Sequence, residues 1–430
     1  MAHDSPRDHV TPYDRFAWSD TQVEEWLAAG AHRAELSAYF GAAEYRQLAA
    51  LARRAQRLPL AANAQRVLIV PGIMGSQLGL RRPAPLPDDI LWLDPLDIQQ
   101  GRLAALRVGS AAPIVPLGAV LYSYLPLKLY LRARGFAAEL FDFDWRLSVA
   151  ELGAALAGRL AALRAAPLAV VGHSMGGLVA RAALAHPGTA HVERLVLLGT
   201  PNCGSFAAVQ ALRGSYAVVR RLAQLALRTS AEQLAAQVFN TFPSLYDLLP
   251  TGACDARAQL FEASAWPRSG PRPHAELLER ARATQQLLSP ADARVTAIVG
   301  VGIATVTAIA RRGDEFVYTV TRHGDGTVPA ISAALSGARC AYARVAHSEL
   351  TRDPLIAASV AELLRHGATH RLPRAWRAAG RACARVTDRQ LRALHTAKID
   401  WAALSPEARR LFLQNLNEPP RFALRVPRPR

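Results

Sequence analysis

Apolar and polar positions divide the chain into two regimes. From 19 to 57 apolar residues recur at helical spacing: Val23, Trp26, Leu27, Leu36, Tyr39, Phe40, Leu48 and Leu51. This pattern predicts a helical region with one buried face. Thr21 and Glu24 have the spacing of a capping box, and Pro59 closes the segment. From Arg66 onward, short unbroken apolar runs replace the stripe. Strands are predicted at 67–70 (VLIV), 137–143, 168–171, 194–198 (RLVLL), 295–301 (VTAIVGV) and 341–346. Amphipathic helices are predicted between many of them, at 121–134, 148–165, 176–186 and 353–365. Strand–helix alternation with strands apolar on both faces implies a mostly parallel sheet with helices on both sides, an α/β fold. Two intervals break the alternation. Residues 75–120 are proline-rich and read as irregular, and 202–290 read as helices without strands. Both are expected to be insertions that roof a site. The expected organisation is an N-terminal helical region (1–65), a core (66–201 and 291–366), a helical cap or lid (202–290) and a C-terminal extension (367–430).

One stretch of the core carries chemistry. Residues 169–183 read AVVGHSMGGLVARAA, a buried strand running through Gly172-His173-Ser174-Met175-Gly176 directly into a helix. A serine between glycines at a strand-to-helix turn is the context of a nucleophile elbow. The glycines permit the sharp turn, and the helix N-terminus behind the serine offers free N–H groups and a positive dipole. A serine hydroxyl needs a base, and the base an orienting acid, in the chain order Ser, acid, His. His347 follows the strand around AYARVA and fits the base. Asp325, in HGDGTVP, precedes it by 22 residues and fits the acid. Asp314 and Asp353 compete, the first reading as a solvated turn and the second as a helix start. An oxyanion hole needs two N–H donors. Met175, after the serine, supplies one, and Ile73, in the Pro71-Gly72-Ile73-Met74-Gly75 loop after the first strand, is the candidate for the other. His173 reads as packing, since it cannot reach around its own turn. Asp144 and Arg146 read as a salt-bridged corner. Trp92 reads equally as lining an acyl channel or as covering the sheet.

Charge changes the picture of partners. The formal net charge is +17, and only Lys128 and Lys398 are lysines. Residues 367–430 carry 14 basic and 4 acidic side chains. Such an excess either favours an anionic surface or is simply solvated. No zinc finger, helix-turn-helix or aromatic RNA-binding signature is present, so nucleic acid is not the expected partner. An anionic membrane, met by the tail with Arg220, Arg221 and Arg228, is one expectation; arginines that brace the fold are the other. The four cysteines (Cys203, Cys254, Cys340 and Cys383) are far apart, and no cluster has metal-binding spacing. Neither metal nor cofactor is expected. The first ten residues lack an apolar signal region, and no apolar run approaches 18 residues. The expected location is therefore cytoplasmic, with peripheral membrane contact.

Beyond the elbow, several longer motifs occur in order: VPGIMGSQL (70–78), LWLDP (91–95), FDWRLS (143–148), GHSMGG (172–177), GTPNCGS (199–205), FPSLYDLLP (242–250), GDGTVP (324–329) and AHSEL around His347. In these motifs, which span roughly 66–365, the chain resembles the lecithin:cholesterol acyltransferase family of α/β-hydrolases. The resemblance implies an α/β-hydrolase core, a triad of Ser174, Asp325 and His347, a hole at Ile73 and Met175, and a lipid acyl ester as substrate. Secreted members carry a small disulfide loop before the WLD motif. No cysteine here precedes Cys203, and the N-terminal region and basic tail have no counterpart. The expected function is a serine-dependent lipid ester hydrolase or O-acyltransferase. The alternative is a non-catalytic or partner-docking protein on the same fold, which predicts a damaged triad or elbow.

Overall fold

The computed structural model describes residues 10–163, 167–252, 259–377, 382–420 and 422–425. Cys254 and the terminal residues 426–430 lie outside the described residues. Three helices come first: α1 (Asp20–Ala29), α2 (Arg33–Phe40) and α3 (Ala42–Arg57). The helical stripe read over 19–57 is thus cut twice, at Gly30 and Gly41, where the backbone takes positive φ (75° and 92°) and no helix can continue. The first cap is Ser19, not Thr21: its side chain accepts from the Gln22 N–H. Glu24 instead pairs with Lys128 and Arg132.

Strand β1 (Arg66–Val70) opens the core. The interval 75–120, read as irregular, holds strands β2 (Ser76–Leu80), β3 (Asp89–Trp92) and β4 (Val115–Ala119), a short helix α4 (Pro95–Gln99) and a 3-10 turn. The three strands form a small antiparallel sheet in the order β3-β2-β4. Their glycines, prolines and two register shifts obscure the alternation that would mark strands in sequence. Then follow α5 (Leu121–Arg132), β5 (Ala137–Leu140), α6 (Val149–Ala162), β6 (Leu168–His173), α7 (Met175–Leu184) and β7 (Val192–Leu198). Helices α8 (Phe206–Leu212), α9 (Ala217–Leu225), α10 (Ala231–Gln237), α11 (Pro243–Asp247) and α12 (Ala275–Thr284) occupy the strandless interval. The chain returns to the core through β8 (Val295–Gly300). A hairpin of β9 (Thr305–Arg312) and β10 (Glu315–Thr321), unforeseen in the sequence, follows. Then come α13 (Ala330–Ala333), β11 (Arg339–Ala343) and α14 (Pro354–His366). The tail adds β12 (Ala384–Thr387), α15 (Asp388–Arg392) and α16 (Pro406–Gln414).

The central sheet has the order β11-β8-β7-β6-β1-β5, and every pairing in it is parallel. Both faces are buried. On β1, Leu68 and Val70 join one core cluster with α6, α7 and the 202–290 helices, while Val67 and Ile69 join another with α5 and α14. This two-sided burial is why the strands read as unbroken apolar runs. α5 is apolar all round because it is sandwiched. Tyr124, Leu127 and Leu131 face the sheet, and Leu121, Leu125 and Leu129 face α1–α3. The order and direction of the strands, with a helix after most of them and a sharp serine turn after β6, define an α/β-hydrolase-like fold.

The tail is integrated rather than trailing. β12 pairs antiparallel with β10. Asp388, buried, accepts from Arg213 Nε at 3.0 Å, Tyr318 Oη at 2.8 Å and Ser215 Oγ at 3.2 Å. Arg220 donates to the Leu394 carbonyl and Glu232, and Arg221 donates to the carbonyls of Asn415 and Leu416. These two arginines, which the sequence offered to a membrane, are occupied inside the fold.

Candidate active site

Ser174 sits between β6 and α7 with φ 53° and ψ −127°. Such a conformation costs a non-glycine residue about 1–3 kcal/mol and persists only where its surroundings enforce it. They do. The Ser174 N–H donates to the Leu198 carbonyl of the neighbouring strand at 2.9 Å. A Cβ at Gly176 would lie 2.2 Å from the carbonyl oxygens of Val70 and Pro71, so only glycine lets the elbow nest against the end of β1. The turn aims the hydroxyl along the carboxyl ends of the strands, where open α/β sheets bind ligands.

The residues singled out for acid and base meet it there. His347 Nε2 lies 2.9 Å from Ser174 Oγ, and His347 Nδ1 lies 2.7 Å from Asp325 Oδ2. Asp325 is buried, 1% exposed. Its other oxygen accepts from the N–H groups of Thr327 (2.9 Å) and Val328 (2.7 Å), and its carbonyl accepts from the His347 N–H at 2.9 Å. The carboxylate therefore has no freedom to turn away from the ring. Gly199 makes the room: a Cβ there would come within 3.1 Å of both Asp325 Oδ2 and His347 Nδ1. The two competing acids lie elsewhere. Asp314 is in the β9–β10 turn and accepts from the Arg268 and Ser269 N–H groups, which hold its carboxyl below the usual range. Asp353 caps α14 through the N–H groups of Leu355 and Ile356.

The two expected oxyanion donors face no protein acceptor among the described residues. Met175 is the first residue of α7, where the helix leaves its N–H unpaired. Ile73 lies in a loop closed by Gly75 N–H to Gly72 C=O at 3.0 Å and lines the serine pocket.

His173 does more than pack. Its Nε2 is 3.1 Å from the His347 carbonyl, and its Nδ1 is 3.0 Å from Tyr124 Oη. A carbonyl can only accept, so Nε2 carries the proton and Nδ1 accepts from the tyrosine. Tyr124 Oη in turn accepts from the Gly72 N–H at 2.8 Å. One hydrogen-bonded line thus joins the Ile73 loop to the backbone of His347. Burial, with the neighbouring His347 imidazole as the second cause, pushes the His173 pKa down to about 3, so the ring stays neutral. Neither Tyr124 nor the bridging role of His173 was read from the sequence, since three residues distant along the chain meet only in the fold.

Trp92 is buried against Trp145, and its indole N–H donates to the Met74 carbonyl at 3.1 Å. It covers the sheet and also lines a cavity beside the serine. Asp144 and Arg146 form the expected salt bridge at 2.6 Å. Among the described residues no group of His, Cys, Asp and Glu has the arrangement to hold a metal ion. No helix among the described residues is long and apolar enough to cross a membrane.

Residues 162–241 match the family described as the PGAP1-like alpha/beta domain. That segment carries β6, the elbow, α7, β7 and the first helices of the strandless interval. Among solved structures, the chain is similar to the Bacillus licheniformis lipase BlEst2 in mature form. The identity is 15%, the match covers 71% of this chain and 94% of that one, and the TM-score is 0.37. The propeptide form of that lipase matches at 16% identity over 71% of this chain and 51% of that one, with a TM-score of 0.38. The Tle4-Tli4 complex matches at 15% identity, covering 71% of this chain and 98% of that one, with a TM-score of 0.47. No curated protein sequence matches the chain at a significant level.

Proposed function

We propose that the protein is a serine-dependent hydrolase of lipid acyl esters that works through an acyl-enzyme. The carrying observation is the unbroken line Ser174–His347–Asp325, with contacts of 2.9 and 2.7 Å, at an elbow whose serine is held at positive φ. In this reading Ser174 Oγ attacks the acyl carbonyl while His347 Nε2 takes its proton. Asp325 keeps Nδ1 protonated and stabilises the imidazolium. The tetrahedral oxyanion is received by the N–H groups of Ile73 and Met175. His347 then returns the proton to the departing alcohol, and water attacks the acyl-enzyme. The 202–290 helices act as the cap: Ala208, Ala211, Leu245 and Leu248 line the serine pocket, whose volume is about 100 Å³. A binding protein without catalysis has no need of the strained serine.

Transfer to an alcohol is the second reading. It is favoured by the burial of Ser174, which is 7% exposed, because a site that excludes water lets another acceptor compete. The ordered motifs over 66–365 support a relationship to the lecithin:cholesterol acyltransferase family, without the disulfide loop of its secreted members. Peripheral contact with an anionic membrane from the cytoplasm fits the net charge of +17. That contact would run through cations other than Arg220 and Arg221. The test is a phospholipid labelled in its acyl chain, incubated with and without added alcohol. Release of labelled fatty acid, lost in Ser174→Ala, supports hydrolysis; a labelled new ester supports transfer. Neither product from the intact protein, over a range of acyl esters, overturns the proposal.

A further inference from the structure

Beside the serine pocket lies a larger cavity of about 430 Å³, within the roughly 300–1,000 Å³ range of small-molecule sites. Three stretches distant in sequence wall it: Tyr13 and Phe16 near the start, Trp92 and Leu96 around α4, and Trp401 and Leu413 in the tail. The walls are tied together. Trp401 Nε1 donates to Tyr13 Oη at 2.9 Å, and Gln414 Nε2 donates to the Tyr39 carbonyl at 3.3 Å. Met74, Val120, Tyr122, Gln414 and Asn417 line both this chamber and the serine pocket, so the two adjoin. Met74 directly follows Ile73, which places the junction at the oxyanion loop.

The lining indicates what fits. It is mostly aromatic and aliphatic and contains no aspartate or glutamate. Two of its three arginines are already engaged: Arg409 donates to the carbonyls of Trp401 and Ala402, and Arg410 to Gln414. An alkyl chain entering here gains apolar burial along most of the wall and meets no carboxylate. The side of entry selects the part of the ester. The alcohol must leave next to His347 Nε2, which protonates it, and no residue from 323 to 352 lines the chamber.

Resting on the hydrolase reading, we propose that this chamber holds the acyl chain of the ester attacked by Ser174. The segments at the two ends of the chain, rather than the α/β core, then set acyl-length preference. Two measurements test it. In the first, an anthroyloxy-labelled fatty acid is titrated into the Ser174→Ala protein, where turnover plays no part. Saturable binding is expected, weakened about tenfold or more by Leu413→Trp and by Leu96→Trp. In the second, p-nitrophenyl esters from acetate to palmitate are compared. Leu413→Trp should lower kcat/KM about tenfold for long chains and leave acetate within about twofold. Leu413→Ala should move the preference toward longer chains. Probe binding indifferent to both tryptophans overturns the chamber, as does an equal loss at every acyl length. So does a loss that follows the length of the alcohol in a series of alkyl acetates. Should the wild type cleave no ester while the probe still binds and both tryptophans block it, the hydrolase reading falls and the chamber stands as an acyl-chain site. The reverse pattern, cleavage without chain-length effects, sinks only the chamber.

Discussion

At the serine end of the central sheet, backbone groups do most of the holding. The Ser174 N–H is fixed on Leu198, the His347 N–H on the Asp325 carbonyl, and the Asp325 carboxylate on the Thr327 and Val328 N–H groups. In the tail, beyond the β12–β10 ladder, side chains reaching across long sequence separations do much of the holding. Asp388 gathers Arg213, Ser215 and Tyr318, and Lys398 Nζ donates to the carbonyls of Ala223, Ala226 and Thr229. Backbone attachment survives almost any side-chain change and keeps the reacting groups in register. Side-chain attachment concentrates the hold in a few replaceable residues. The first suits chemistry, which tolerates little displacement; the second suits a wall whose shape can vary without disturbing the chemistry.

The comparison can be broken from either side. Ser174→Ala should reduce ester cleavage by a factor on the order of 10⁶ with an unchanged melting curve; a loss below about tenfold would remove the serine from the mechanism. Asp325→Asn should cost about 10⁴ in kcat, because an amide no longer enforces the imidazole tautomer. Stopped-flow release of nitrophenol would show it as a slowed acylation step. Asp388→Ala strands the buried Arg213 guanidinium and should cost about 3–5 kcal/mol of stability in denaturant titration. Turnover of nitrophenyl acetate at low temperature should survive. If acetate turnover collapses too, the two regions are not separable in the way described.

A pH-dependent effect, absent at neutral pH, concerns His173. Its folded pKa of about 3 lies below its ordinary value of 6.5. Between these values the unfolded chain takes up a proton that the folded protein refuses, so stability is lost as pH falls through that window. His173→Gln should remove this contribution to the acid slope. An unchanged slope in melts between pH 6.5 and 4 would show that the ring is not kept neutral by its position.

The same contrast explains what was legible in the sequence. All six strands of the central sheet are legible: two-sided burial turns the inner four, β1, β6, β7 and β8, into apolar runs, while the edge strands β5 and β11 are only partly buried and show as shorter apolar stretches. The elbow, His347 and Asp325 stand at strand ends in short local motifs and can be placed without any long-range contact. β2 and β4 are broken by glycine and proline, β3 is only four residues long, and the three pair only with each other, so no periodicity marks them. The β9–β10 hairpin carries its signal in the alternation of TVTAIARR and EFVYTVT around Gly313-Asp314. Ser19 caps α1 in place of Thr21 because the chain enters two residues earlier than the Thr21–Glu24 spacing suggested. Arg220 and Arg221 look like free charge until Leu394, Asn415 and Leu416 are brought to them. The tail's role could not be read, because its partners lie far along the chain: Tyr318 is 70 residues from Asp388, and Arg213 and Arg220 are more than 170 from theirs.

The seam between Tyr13 and Trp401 spans 388 positions. On a ribosome, Trp401 is made long after Tyr13. The α/β core, including serine, acid and base, is complete once α14 has emerged, while the chamber still lacks one wall and the aromatic residues at the start of the chain remain uncovered. For that period the nascent protein presents an oily cleft beside the Ser174–His347–Asp325 line. The stretch around 401–417, made after the core, is the one that shuts it.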